Sequence, residues 1–264
     1  MEKLLRELSE IEKSTKCENC KQDTAYIRLQ CVRVLQQISE KLLTEYYISF
    51  GNFKIEPLRV EAYYFHEGTF EDCTTYGKPE QKEYNRLFIH GPKVGYEGVD
   101  ICIGSGGAEK TDGRYLSFLI KDSIVTDKNG DSIYCKQTAL YNKLVRASTS
   151  ESSVLQKKTK VEETIFHTVR KGLSGKPFAR ELLGTLISVQ EKQLKNEKGE
   201  NITLKGINFY DFESGFGKEQ TIAQYLRENP EKNNEDNWKF WWNGGFPSWA
   251  KNWNKDLKKR RGNA

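Results

Sequence analysis

The chain has 264 residues, with 42 Lys and Arg against 37 Asp and Glu for a formal net charge of +5. Hydrophobic residues at 36%, together with 21 glycines, approach the roughly 45–50% apolar share of ordinary globular proteins, which excludes disorder over the whole length. No stretch reaches the ~18 uncharged apolar residues of a membrane span, and the charged start Met1-Glu2-Lys3-Leu4-Leu5-Arg6 lacks the apolar core of a signal peptide, so a cytoplasmic protein without a membrane partner is expected.

The charges are unevenly placed. Lys251, Lys255, Lys258, Lys259, Arg260 and Arg261 face only Asp256 near the end, so the rest of the chain is close to neutral. A second basic stretch lies in 143–176, where Lys143, Arg146, Lys157, Lys158, Lys160, Arg170, Lys171 and Lys176 outnumber Glu151, Glu162 and Glu163. Two such stretches on a weakly basic body fit a polyanion partner, although a basic tail can also serve only to solubilise an end. Six cysteines are too sparse for a disulfide scaffold in a chain this long. Cys17 and Cys20 form one Cys-x-x-Cys pair, with Cys31 nearby and Cys73 or His66 distant. A structural zinc usually takes two such pairs, so a loop between helices is expected there and no metal or cofactor.

In chain order, Leu4, Leu5, Leu8 and Ile11 have helical spacing over 1–14, and Ile27, Val32, Val34, Leu35, Ile38, Leu42 and Leu43 repeat it over 25–47. An N-terminal helical hairpin is predicted. From residue 53 short apolar runs bounded by Gly, Pro and Asp predict strands at Leu58–Phe65, Arg86–His90, Val99–Ile103, Tyr115–Ile120 and Ser132–Tyr134, with a turn at Lys128-Asn129-Gly130-Asp131. Helical character returns at 137 with Leu140, Leu144 and Val145, then with Val161, Ile165 and Val169, and again with Leu182, Leu183, Leu186 and Ile187. Ser148–Ser153 reads as a polar connector. The predicted class is α+β: a single mixed domain with a curved, mainly antiparallel sheet flanked by helices. Its parts are a helical hairpin over 1–50, the core over 51–190, and an extension over 191–264. That extension holds a turn-rich loop at 228–237 and all five tryptophans between Trp238 and Trp253. The tryptophans could stack on bases or clasp the domain.

One constellation can carry catalysis. In Arg59-Val60-Glu61-Ala62-Tyr63-Tyr64-Phe65-His66, strand alternation puts Glu61 and Tyr63 on one face and Val60 and Ala62 on the other. A carboxylate on a mostly apolar strand costs free energy to bury unless it has a partner or a task. An edge strand with Glu61 in water would remove that cost.

The segment Val60-Glu61-Ala62-Tyr63 is similar to the Thr-Glu-Ala-Tyr motif of the alkyladenine (3-methyladenine) DNA glycosylase family. Three further segments follow in that family's order over residues 57–146. Leu87-Phe88-Ile89-His90-Gly91 resembles the strand and turn carrying the pocket aromatic and the DNA-wedging hairpin. Val99-Asp100-Ile101 resembles the Asn-Ile pair at the pocket floor, and Phe118-Leu119-Ile120-Lys121 resembles the Leu-Leu-Arg strand. The chain departs from the pattern as well. The family's Asn is Asp100, its Arg is Lys121, its Gly-Pro-Ser helix start is Cys135-Lys136-Gln137, and its pocket histidine falls on Asp72 with His66 the nearest imidazole.

The resemblance implies a DNA glycosylase that hydrolyses the N-glycosidic bond of a flipped-out modified or damaged base in double-stranded DNA. Glu61 would be the general base that orients water toward C1′. Tyr63 would stack on the base opposite Phe88 or His90, with Asp100, Lys121, His66 and Asp72 completing the base site. A carboxylate at position 100 would favour a base with an exocyclic amine, or else pair with Lys121. The hairpin His90–Gly98 would supply Tyr96 or Val94 as wedge with Lys93 beside it, and Arg170, Lys171 and Lys176 would grip phosphates. A monofunctional, monomeric enzyme is expected, since no amine nucleophile is marked out. Foreign to the resembled core, the appended segments leave room for defence against a modified phage genome as well as repair. A non-catalytic nucleic-acid-binding protein and a nucleoside or nucleotide N-glycoside hydrolase are the alternatives.

Overall fold

The computed structural model describes residues 1–15, 24–91, 97–104, 113–147, 154–160, 165–168, 170 and 183–206. Its opening helices, α1 (Glu2–Thr15) and α2 (Thr24–Glu45), pack on each other through the apolar stripes read from the sequence. Leu5, Leu8, Leu35, Ile38 and Leu43 lie at their buried centre. The predicted second helix runs two residues too far. Tyr46–Phe50 instead forms β1, a strand rich in aromatic and β-branched side chains.

The chain then builds an α+β fold around a mixed twelve-stranded sheet. Its frame is β2 (Phe53–His66) paired along its length with β6 (Tyr115–Thr126). The first half of β6 also pairs with β5 (Gly98–Ile103), which pairs with β4 (Tyr84–His90). The second half of β6 turns at Asp127–Asp131, where Gly130 adopts φ +88° as the Asn-Gly sequence predicts, and pairs with β7 (Ser132–Lys136). Helix α3 (Gln137–Ala147) packs on β5, β6 and β7. A two-residue strand β3 (Phe70–Glu71) pairs the end of β2, and β8 (Val154–Lys157) borders β1.

The helical expectation is corrected at Ile165 and at Leu186 and Ile187, while Val161, Val169 and Leu182 lie outside the described residues. Ile165–Thr168 is strand β9 and Gly184–Ile187 is strand β10, which pairs β2 along Arg59–Glu61. A spacing of four is even, so Val161, Ile165 and Val169 fit a strand face as well as a helix face. The β-branched Ile165, Thr168, Thr185 and Ile187 tip the balance once β2 offers an edge. Residues 189–206, which the sequence places largely in an extension, form the hairpin β11 (Val189–Asn196) and β12 (Asn201–Gly206), with β11 parallel to β7. Every other strand pairing among the described residues is antiparallel.

One face of the sheet is the core. Val60, Ala62 and Tyr64 of β2, Leu116, Phe118 and Ile120 of β6, and Val99, Ile101 and Ile103 of β5 are buried together with the apolar sides of α1 and α2. The alternate residues of the same strands point the other way and carry the candidate chemistry. No helix among the described residues is long and apolar enough to cross a membrane. The Cys17/Cys20 pair, the Ser148–Ser153 connector, the tryptophan segment and the basic tail lie outside the described residues.

Candidate active site

Register alone assembles the site. Glu61 of β2 pairs with Leu119 of β6, Leu119 with Asp100 of β5, and Asp100 with Phe88 of β4. Directly opposed residues of antiparallel strands project to the same face. Glu61, Leu119, Asp100 and Phe88 therefore form one row across four strands, and Tyr63, Ser117 and Cys102 form the next. Two strand spacings, about 10 Å, separate Glu61 from Asp100. Leu119 lies between them as an apolar floor, and Gly184 of β10 borders Glu61 on its other flank.

Glu61 is 2% exposed, which sets aside the edge-strand alternative. A carboxylate so covered needs partners. The Tyr63 hydroxyl donates to its Oε2 at 3.1 Å, and the Lys121 ammonium lies 3.6 Å from the same oxygen. Burial first, and the Glu61 charge second, push the Tyr63 hydroxyl well above its ordinary value, so it stays a proton donor. Lys121 follows Leu119 by two residues on β6 and so shares the face of Glu61, next to a register shift at which Val60 opposes Ile120 but Arg59 opposes Asp122. The extra residue sets Asp122 opposite Arg59, where the two ion-pair at 2.6 Å. Lys121 therefore pairs with Glu61, not with Asp100.

Asp100 is braced from both sides. His90 Nε2 lies 3.2 Å from Oδ1, the Ser117 hydroxyl donates to Oδ2 at 2.8 Å, and the Gln81 amide donates to Ser117 Oγ at 2.7 Å. A carboxylate only accepts, so Nε2 carries the proton in that contact. Asp100 thus holds the His90 ring in place, and both its oxygens are already engaged before any base with an exocyclic amine could meet them. The imidazole lies over Gly98, where a Cβ would come within 2.7 Å of its Cε1 and Nε2 and of Leu119 Cδ1. Only glycine permits that approach. His90 also joins a ring cluster, with centroids 5.1 Å from both Phe88 and Tyr76, and Tyr76 stands 6.1 Å from Phe88. Burial, then the Asp100 charge, pushes the neighbouring Cys102 thiol up, which keeps it neutral.

Arg170 is moved from the surface role expected of it. It is buried, ion-paired with Asp72, bonded to the Ala62 carbonyl at 3.2 Å and to Thr74 Oγ1 at 3.2 Å, with its guanidinium 4.8 Å over the Tyr63 ring. Such an arginine braces the tyrosine and is not placed to grip a phosphate. Asp72 correspondingly acts through Arg170 rather than facing Glu61. His66 lies on the core face of β2, five residues from Glu61, where its Nδ1 contacts the Thr69 hydroxyl at 2.9 Å. It does not join the row. Lys93, Tyr96, Lys171 and Lys176 fall outside the described residues.

The structure thus brings together Glu61, Tyr63, Lys121, Phe88, His90 and Asp100. Sequence reasoning missed Tyr76, Ser117 and Gln81. Ser117 was within reach, because it shares the strand period of Leu119 and Lys121. Gln81, in a 3-10 turn at Pro79–Lys82, and Tyr76 carry no periodic signal. Among the described residues no group of three or more His, Cys, Asp or Glu could hold a metal ion. No protein-family model and no curated protein matches the chain.

Chemically, the row offers a covered carboxylate beside a cation and a phenol, about 10 Å from a second, braced carboxylate, with an apolar floor between. Tyr63, Phe88 and His90 each keep part of their surface in solvent, and Tyr76 is 42% exposed. A flat aromatic ligand would find π faces there, and a water beside Glu61 would find a base.

Proposed function

We propose that this protein is a DNA glycosylase, a distant member of the alkyladenine DNA glycosylase family, acting on a flipped-out modified base of double-stranded DNA. In this reading the described sheet and helices are its glycosylase core, preceded by the two helices and followed by the tryptophan-rich extension, in a cytoplasmic enzyme. The observation that carries it is the covered Glu61 carboxylate, held by Tyr63 and Lys121 on the same sheet face as the Phe88 and His90 rings. A burial this deep has little reason to keep a charge on the side of the sheet away from the core unless the charge is used.

Glu61 takes a proton from a water as the water oxygen bonds to C1′ and the C1′–N bond breaks, the base leaving with the electron pair. The sugar carries oxocarbenium character in that transition state, so the carboxylate also offsets developing positive charge. Tyr63 holds the carboxylate and presents its ring, with Arg170 fixed behind it, while Phe88 and His90 form the facing wall. Extrusion of a nucleotide costs a few kcal/mol, which stacking on these rings offsets.

Glu61→Gln keeps the shape and removes the base. Release of free base from a panel of modified duplexes is expected to fall about 10²- to 10⁴-fold while duplex binding is retained. Unchanged release would remove Glu61 from the mechanism. Release from mononucleotides but from no duplex would assign the same carboxylate to a nucleoside hydrolase.

A further inference from the structure

We propose that Lys121 is an amine nucleophile toward the abasic sugar, giving the site an abasic-site lyase activity after base removal. This rests on the glycosylase reading above. The sequence marks out no such amine, because strand alternation does not say which carboxylate a lysine will meet. The structure sets Lys121 Nζ 3.6 Å from Glu61 Oε2 with the side chain only 13% exposed, beside the carboxylate proposed to act at C1′. An arginine there would stay charged and could not attack, whereas a lysine amine can give up a proton to an adjacent base and form a Schiff base with a carbonyl.

The chemistry closes with the groups present. Hydrolysis of the base leaves a hemiacetal that opens to a C1′ aldehyde. Once the proton Glu61 took from water has passed to the departing base, Glu61 takes a proton from the Lys121 ammonium, and the amine adds to C1′, forming an N–C bond and a hydroxyl from the carbonyl oxygen. The proton on Glu61 returns to that hydroxyl, which leaves as water, and a protonated imine remains. The imine acidifies C2′, so Glu61 can remove a C2′ proton. The electron pair then expels the 3′ phosphate by breaking the C3′–O bond. Water hydrolyses the conjugated imine, restoring the Lys121 ammonium and releasing an unsaturated aldehyde end. No oxidant or reductant enters.

The test does not require knowing the excised base. A duplex carrying a preformed abasic site is incubated with the full chain and borohydride, which reduces an imine to a stable amine, and the adduct is mapped by peptide mass spectrometry. A covalent adduct on Lys121, with strand cleavage when borohydride is omitted, is expected. Lys121→Arg keeps a cation beside Glu61 and should lose the adduct. An adduct confined to the Met1 amine or to other lysines, an adduct that persists in Lys121→Arg, or none on wild-type protein that binds the duplex overturns the proposal. Base release without a Lys121 adduct refutes the lyase alone. A Lys121 adduct without base release from any duplex refutes the glycosylase reading and leaves an abasic-site lyase.

Discussion

Tyr63 and Tyr64 are neighbours in sequence, yet each anchors a separate trio of tyrosine, glutamate and cation on an opposite face of β2. On the core face the Tyr64 hydroxyl donates to Glu12 Oε1 at 2.7 Å. Arg114, wholly buried, grips both oxygens of Glu12 and adds bonds to Ser9 Oγ at 2.7 Å and the Gly104 carbonyl at 3.3 Å. On the other face Tyr63 donates to Glu61 at 3.1 Å, and the Lys121 ammonium stands 3.6 Å away. The first trio uses a planar fork that saturates the carboxylate and ties α1 to the start of β6. The second uses a point charge at arm's length. A bidentate fork makes a brace, whereas an ammonium at longer range ties its carboxylate less tightly.

The strongest way to break this contrast is to remove each cation. Arg114→Met leaves Glu12 buried and uncompensated and is expected to cost about 3–5 kcal/mol, read from urea unfolding midpoints. Lys121→Met should cost clearly less, because its ammonium meets Glu61 at 3.6 Å instead of through a bidentate fork. Equal losses would mean that both trios are braces.

The tyrosines sharpen the comparison at smaller scale. Tyr64→Phe deletes a buried bond to a charged acceptor and should cost about 1.5–3 kcal/mol. Tyr63→Phe, which deletes a longer bond at 3.1 Å, should cost less than that and shift the pH profile of base release, because Glu61 loses a donor. A stability loss in Tyr63→Phe as large as in Tyr64→Phe would erase the distinction.

The smallest expected effect is alkaline. Burial is the first cause that raises both tyrosines well above their ordinary value near 10, with the neighbouring carboxylate charge adding to it. Above pH 10 the unfolded chain releases these protons and the folded chain does not, so the unfolded state binds fewer protons. Their contribution is present in full below pH 10 and is lost as pH rises past it. Unfolding midpoints measured from pH 9 to 11 should fall, and fall less steeply in Tyr64→Phe. A slope unchanged by that substitution would contradict the burial account.

Local pattern made much of this protein legible. The 3.6-residue period found α1 and α2, and the two-residue period found the strands that became β2, β4, β5, β6 and β7. Because that period also fixes faces, Glu61 and Tyr63 on one side and Val60 and Ala62 on the other followed from the residues alone. The pattern failed where a spacing is common to both periods, as at Ile165. It also failed where a strand is largely polar, as in Val189–Asn196 with its run Gln190-Glu191-Lys192-Gln193. Only tertiary structure decided which charges meet. Lys121 goes to Glu61 because the pairing of β2 with β6 sets Leu119 opposite Glu61, Asp100 goes to His90 because Gly98 lets the ring lie close, and Arg170 crosses from far along the chain to Asp72 and Tyr63. A strand's face depends on its own residues, but a partner depends on register, bulges and close approaches between segments distant in sequence, which exist only once the sheet has formed.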